Sequence, residues 1–160
     1  MLFRSLDRTL YGPSFQDFVI EKPEHSPHYE YHLYDPANPK SFRRAVYRFL
    51  VRSQPEPFMA SLDCADPSMQ VERRNESASP LQALSLWNDA FMLTAARLAE
   101  ERSKTDTQPI ELQVAAAWFA CFSRPIKADD LAALTELARE QGMNSVWRVL
   151  WNSNQFVFVE

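Results

Sequence analysis

The chain of 160 residues is poor in glycine, with 2, and in cysteine, also with 2. With so little glycine it contains no GxGxxG and no GxxxxGK followed by Ser or Thr, which argues against a glycine-cradled nucleotide site. Cys64 and Cys121 fit no zinc-ligand spacing, and no CxxCH is present, so no cofactor is expected within these residues. Cys64 lies in a polar stretch and Cys121 in the apolar run AAAWFACF. Two separate thiols, with Cys121 buried, are expected over a disulfide. Cationic excess is also lacking. The net charge of -4 gives no electrostatic reason to expect nucleic acid as a partner. No apolar run approaches the length of a membrane span, and the opening MLFRSLDRTLYGPS has no signal-peptide core. There is no GxSxG, no HExxH and no nucleophile beside a recognisable base, so no catalytic residue is assigned.

Proline, by contrast, is plentiful at 11, and composition divides the chain near residue 79. Residues 1–78 form a Pro-rich irregular half holding all three His; residues 79–160 read as successive helices. The expected fold is a mainly α, irregular helical domain with a few short strands in the N-terminal half. Residues 2–10 read as the end of a helix, broken at Gly12-Pro13. Phe15 to Ile20 reads as a short strand. His28-Tyr29-Glu30-Tyr31-His32-Leu33 alternates with the period of a half-buried strand, with Tyr29, Tyr31 and Leu33 inward. Ser41 to about Arg52 reads as a helix burying Phe42, Val46, Phe49 and Leu50, with Arg44, Arg48 and Arg52 in a row on a second face. FMASLD and SMQVERR read as two short extended segments.

The clearest local signal follows. Ser79 suits an N-cap, Pro80 the first helical position, and Gln82 the third, completing a capping box. Leu81, Leu84, Phe91 and Leu98 then mark a buried stripe reaching about Arg102. Asn88-Asp89, weak helix formers, mark a kink or break. Further helices are predicted from Pro109 to about Phe122, from Ala128 to Gln141 with Gly142 as C-cap, and from Asn144 through Trp151. The closing FVFV reads as extended or as a docked tail.

Three constellations could carry chemistry. His28, Glu30 and His32 would share one strand face, where alternate residues stand roughly 6.6 Å apart. As metal ligands they would need help from elsewhere, and a hydrogen-bonded polar face is the commoner meaning. The Arg row, with Arg43 beside it, could grip a phosphate, sulfate or carboxylate. Internal pairing with Asp63, Asp66, Glu72 and Glu76 is the favoured reading. Asp63 and Asp66 flank Cys64 and could serve as acid and base, although nothing fixes their separation. Most of the tryptophans and phenylalanines fall on predicted buried stripes, so core packing outweighs a sugar-stacking platform.

The stretch RRAVYRFLVRSQPEPFMASLDCADPSMQVERRNESASPLQALSLWND resembles the signature of the planctomycete PSD family, also called domain of unknown function 1553. The shared features are the Arg-Arg-aliphatic-Tyr run, the Pro-rich turn, the Arg-rich polar stretch, and the Ser-Pro-Leu-Gln-Ala-Leu helix start ending in Asn-Asp. The ending LWNSNQFVFVE is similar to the family's closing motif, and LYGPSFQDFVIEKPEHSPHYEYH to its Gly-Pro-Ser region. Ser79 stands where the family has Thr, Trp151 where it has Leu, and Arg74-Asn75-Glu76-Ser77 where an Arg-Thr-Asn order is usual. The resemblance implies the C-terminal part of a larger exported, cytochrome-c-like protein of the periplasm or cell envelope. Haem c would then sit in an upstream module, and upstream domains would be the partners. It supplies no catalytic residues.

Two functions follow as expectations. In the first, the chain is a structural or interaction module, and Arg73, Arg74 and Asn75 bond the backbone and acids around Asp63 and Asp66. Loss of an upstream partner would then leave apolar surface exposed. In the second, Arg43, Arg44, Arg73, Asp63 and Asn88 line part of a polysaccharide-acting or carbohydrate-binding site completed by missing domains.

Overall fold

The structure, a computed structural model, describes residues 7–22, 26–65, 69–70, 79–104 and 108–157. It is mainly α, as expected, with one small sheet in the N-terminal half. Two compact units divide it, Phe3–Ser85 and Leu86–Glu160.

The first unit opens extended. Asp7 bridges Arg43 and Phe15 bridges Arg48, both in parallel, so residues 7–10 carry no helix. Strand β1, Val19–Glu21, pairs antiparallel with β2, His28–Glu30, in the register Val19↔Glu30, Ile20↔Tyr29, Glu21↔His28. The strand predicted through Leu33 stops at Glu30. Tyr31–Leu33 turn into a 3₁₀ helix, and Leu33 is exposed rather than inward. Phe18 anchors this region, with the rings of Tyr29, Tyr31 and Phe49 edge-on at 5.0, 5.7 and 5.9 Å. Such pairs add to the energy of burial itself.

The helix predicted over 41–52 does not form. The segment holds two single 3₁₀ turns, Pro39–Ser41 and Ala45–Tyr47, and is extended at its two bridges. Local propensity is a weak prior here. Arg43 and Arg48 reach non-local partners, and the backbone gives up helical bonds for bonds such as Asp7 N–H to Phe42 O (2.7 Å) and Phe49 N–H to Phe15 O (2.9 Å). Val46, Phe49 and Leu50, expected inward, are exposed.

FMAS is helical, not extended: α1 spans Pro57–Ser61. Pro57 takes the first helical position, where its missing N–H costs nothing. Glu56 caps it, accepting from Phe58 N–H at 3.0 Å and Met59 N–H at 2.7 Å. SMQVERR lies largely outside the described residues.

Helix α2, Pro80–Asn88, carries the expected capping box. Gln82 N–H donates to Ser79 Oγ and Ser79 N–H to Gln82 Oε1, both at 3.2 Å. The break at Asp89 is also present, and α3, Ala90–Lys104, begins anew with Phe91 N–H donating to Asp89 Oδ1 at 2.8 Å. The predicted stripe is corrected, because Leu81, Leu84 and Phe91 are exposed while Gln82 and, on α3, Ala96 and Ala99 are buried.

The second unit is built on α4 (Ile110–Phe122), α5 (Ala128–Gln141) and α6 (Met143–Trp151), with α7 (Asn154–Val157) at the end. The closing segment is therefore helical at Phe156-Val157, not extended. Helix α6 packs against α3, α4 and α5. Its Val146, Trp147, Leu150 and Trp151 are buried, as their spacing predicts. Alanines at 96, 99, 117 and 138 line the facing helices and let the backbones approach these large side chains. Gly142 joins α5 to α6 at φ +82°, ψ +167°, a region essentially restricted to glycine. A Cβ there would stand 2.7 Å from Glu100 Oε1.

Candidate functional site

In the first unit the polar side chains converge on Arg48. Its Nη2 lies 2.6 Å from Asp17 Oδ2 and its Nη1 2.9 Å from Glu56 Oε2, with all three side chains largely buried. One guanidinium thus ties the approach to β1, the 43–48 segment and the cap of α1. The three charges do not cancel, since two carboxylates face one arginine. Glu56 is the better satisfied, because it also holds two backbone N–H groups of α1. Asp17 has only its Oδ2 bonded, and Oδ1 is buried without a hydrogen bond. Burial pushes the Asp17 carboxyl above its ordinary value, and the Arg48 charge only partly opposes that. Next to it, Gln54 closes the end of the β-ribbon. Its Nε2 donates to Tyr29 O at 2.7 Å, and Tyr31 Oη donates to Gln54 O at 2.8 Å.

Arg43 is consumed in a second structural role. Its guanidinium donates to Pro13 O (2.7 Å), to Thr9 O (3.3 Å) and to Tyr11 O, and stacks 3.9 Å over the Tyr47 ring. Tyr47 Oη in turn accepts from Tyr11 N–H at 3.0 Å. Loop 9–13 is therefore wrapped around one arginine. Arg44 is exposed. The predicted row of Arg44, Arg48 and Arg52 on one helix face does not exist. The acids that pair with Arg48 are Asp17 and Glu56, not the predicted Asp63, Asp66, Glu72 or Glu76.

Asp63 closes α1 in the left-handed region at φ +57°. Cys64 N–H donates back to Met59 O at 3.1 Å. The Asp63 carboxylate accepts from Gln82 Nε2 at 2.8 Å, so the capping glutamine of α2 also holds the end of α1. Asp66, Arg73, Arg74 and Asn75 lie outside the described residues. Asn88 is the exposed last residue of α2. In the second unit, the free carbonyls just before Asn88 are taken up by α6. Arg148 Nη2 donates to Trp87 O at 3.0 Å and stacks 4.5 Å over that ring, and Asn152 Nδ2 lies 3.4 Å from Leu86 O.

His28, Glu30 and His32 do not form a strand face, because the backbone turns at Tyr31. His32 Nδ1 lies 3.2 Å from Glu30 Oε2. Among the described residues no group of three or more His, Cys, Asp or Glu is placed to hold a metal ion. Both cysteines are free. Cys121 is partly buried, and burial pushes its thiol up to about 11 although a Trp151 hydrogen bond pulls the other way. No helix of the described residues is long and apolar enough to cross a membrane.

Sequence reasoning missed Asp17, Gln54 and Glu56, and on the other unit Arg148 and Asn152. Only Glu56 left a signal, since it directly precedes Pro57, a residue suited to the first helical position.

The arrangement defines a class, a helical module whose arginines and acids fasten its own backbone. The chain belongs to the family described as Protein of unknown function (DUF1553), whose model matches residues 1–138. No curated protein and no solved structure matches it.

Proposed function

We propose that this chain is a non-catalytic structural or interaction module that packs against other domains of a larger, exported, cytochrome-c-associated protein. The observation that carries the reading is Arg48. It is shared between Asp17 and Glu56 in a buried triad, with Arg43 spent on three carbonyls. A side chain committed to backbone and buried acids serves folding. Apolar side chains left outward support a packing partner: Leu112 and Phe119 follow one face of α4 at 54% and 59% exposure. The envelope location and the association with haem rest on the family resemblance.

Denaturant unfolding tests the structural part. Arg43→Ala and Arg48→Met are each expected to lower stability, and the purified chain is expected to hydrolyse no polysaccharide. Turnover that disappears when one arginine is neutralised in a fully folded variant would contradict the reading. For the cytochrome association, the polypeptide carrying this chain is isolated from native extracts and stained for covalent haem. Haem on that polypeptide or on a co-purifying one is expected; its absence from both removes the association and leaves the structural role standing.

A further inference from the structure

In the Asp17–Arg48–Glu56 cluster a single proton changes the charge balance of a buried contact. The three side chains are 9%, 15% and 14% exposed. Arg48 does not grip Asp17 as a fork. Its Nη2 meets Oδ2, while Asp17 Oδ1 and Arg48 Nε are both buried without a hydrogen bond. Ionised Asp17 therefore holds a charged oxygen with no donor, away from water. It also shares with Glu56 a guanidinium that can cancel only one of the two negative charges. A proton on Oδ1 removes both costs and leaves Oδ2 to go on accepting from Arg48. Among the described residues, the other titratable side chains that feel the Asp17 charge are the phenols of Tyr31 and Tyr34. Burial holds both above their ordinary range, so they keep their protons wherever carboxylates titrate.

The cluster fastens one stretch of chain to another. Asp17 stands between the Phe15 bridge and β1. Around it, residues 15–31 are joined to residues 47–56 by few other ties. Phe15 N–H donates to Tyr47 O at 3.0 Å, and Phe49 N–H donates to Phe15 O. Tyr29 N–H donates to Gln54 Oε1 at 3.3 Å, and the Phe18 ring stands against Phe49. Phe18 and Val51 are the buried apolar side chains of this region. With so little apolar area removed from water, the ion cluster carries a large share of the contact.

We propose that Asp17 is a proton-operated latch: protonated, it closes residues 15–31 onto residues 47–56 through Arg48, and ionised, it lets that contact open locally while the helices of the second unit stay formed. The Asp17 carboxyl, raised by burial, agrees in sign. The latch is fully closed below the ordinary carboxylate value and loosens as pH rises through the raised one. This conformational device goes beyond the reading of the chain as a structural module and requires neither a partner domain nor haem. Its failure would leave the structural roles of Arg43 and Arg48, tested by unfolding, untouched.

The test is amide hydrogen exchange followed by NMR on the whole chain, from about pH 4 to about pH 7, with each rate corrected for the intrinsic pH dependence of exchange. The carboxyl carbon of Asp17 is titrated on the same samples. Protection of the Phe15, Tyr29 and Phe49 amides is expected to fall severalfold as pH rises. The fall should share its midpoint with the Asp17 titration, above the ordinary carboxylate value, while the amides of α6 keep their protection. Asp17→Asn is expected to abolish the fall. If that variant does not fold, Glu56→Gln decides: it keeps an acceptor for the start of α1 and removes the competing charge, so the fall is expected to lessen. The proposal is overturned if the three amides hold or gain protection as pH rises, if Asp17 titrates at or below the ordinary value, or if α6 loses protection in parallel. A fall that survives in Asp17→Asn, or stands undiminished in Glu56→Gln, overturns it equally.

Discussion

Among the described residues, the first unit buries two apolar side chains, Phe18 and Val51, and two polar ones, Asp17 and Gln82. The second buries ten apolar side chains, from Ala96 to Trp151, and one polar one, Thr135. Both are compact, but different physics holds them. In the second unit, stability comes from apolar area removed from water by three helices around α6. In the first, too little apolar surface is buried for that, and charge and backbone capture take over at Arg43, Arg48, Gln54, Glu56 and Gln82. Apolar packing tolerates rearrangement, because its contacts are non-directional. A buried charge network does not: removing one member strands the others.

This contrast can be broken or sharpened by mutation. The largest effects should come from the centres of the two units. Replacing the almost fully buried Leu150 by Ala should cost about 2–5 kcal/mol by denaturant unfolding. Neutralising Arg48 to Met should cost a comparable amount, about 3–5 kcal/mol, because Asp17 and Glu56 stay buried without their counter-charge. If Leu150→Ala were costly and Arg48→Met harmless, the first unit would not be held by its ions.

A step smaller is Gly142→Ala, expected to cost about 1–3 kcal/mol, since the new Cβ is strained by the positive φ and displaces Glu100. Smaller again is Ser79→Ala, which removes half of the capping box and should cost about 1 kcal/mol.

The pH dependence reports on the first unit. The Asp17 carboxyl is raised in the folded state, so the fold binds that proton more tightly than the unfolded chain does. Its contribution to stability is fully present below the ordinary carboxylate value and is lost as pH rises through the raised one. Asp17→Asn should flatten this dependence while keeping Arg48 paired to Glu56. Least perturbing is chemical modification of Cys121. With its thiol pushed up to about 11 it should react with thiol reagents more slowly than an exposed thiol.

The two units were also unequally legible in the sequence. Local signals served the second better: the Asn88-Asp89 break, Pro109, Gly142 and the Val146–Trp151 spacing all mark real element ends or buried faces, although Phe91 is exposed and the closing segment is helical. The capping box at Ser79 is equally local, and it too forms. The 41–52 segment shows the opposite. Its apolar spacing is helical, but Arg43 and Arg48 are satisfied by residues about 30 positions earlier, at Pro13 and Asp17, and by Glu56. No periodicity encodes a partner that distant. Leu81 and Leu84 mislead for a related reason, because the side of α2 that turns inward is the one carrying Gln82 toward Asp63. Of the candidate site residues, Arg43 and Asp63 were found for their charge, but what they bind, carbonyls and a capping glutamine, becomes visible only in the fold.

The most direct test is the unfolding free energy of Arg48→Met beside that of the parent chain, with catalysis and ligand binding assayed on the same samples. A loss of about 3 kcal/mol or more, with no activity to lose, is the predicted result. Undiminished stability together with a lost activity would show that Arg48 serves chemistry rather than the fold.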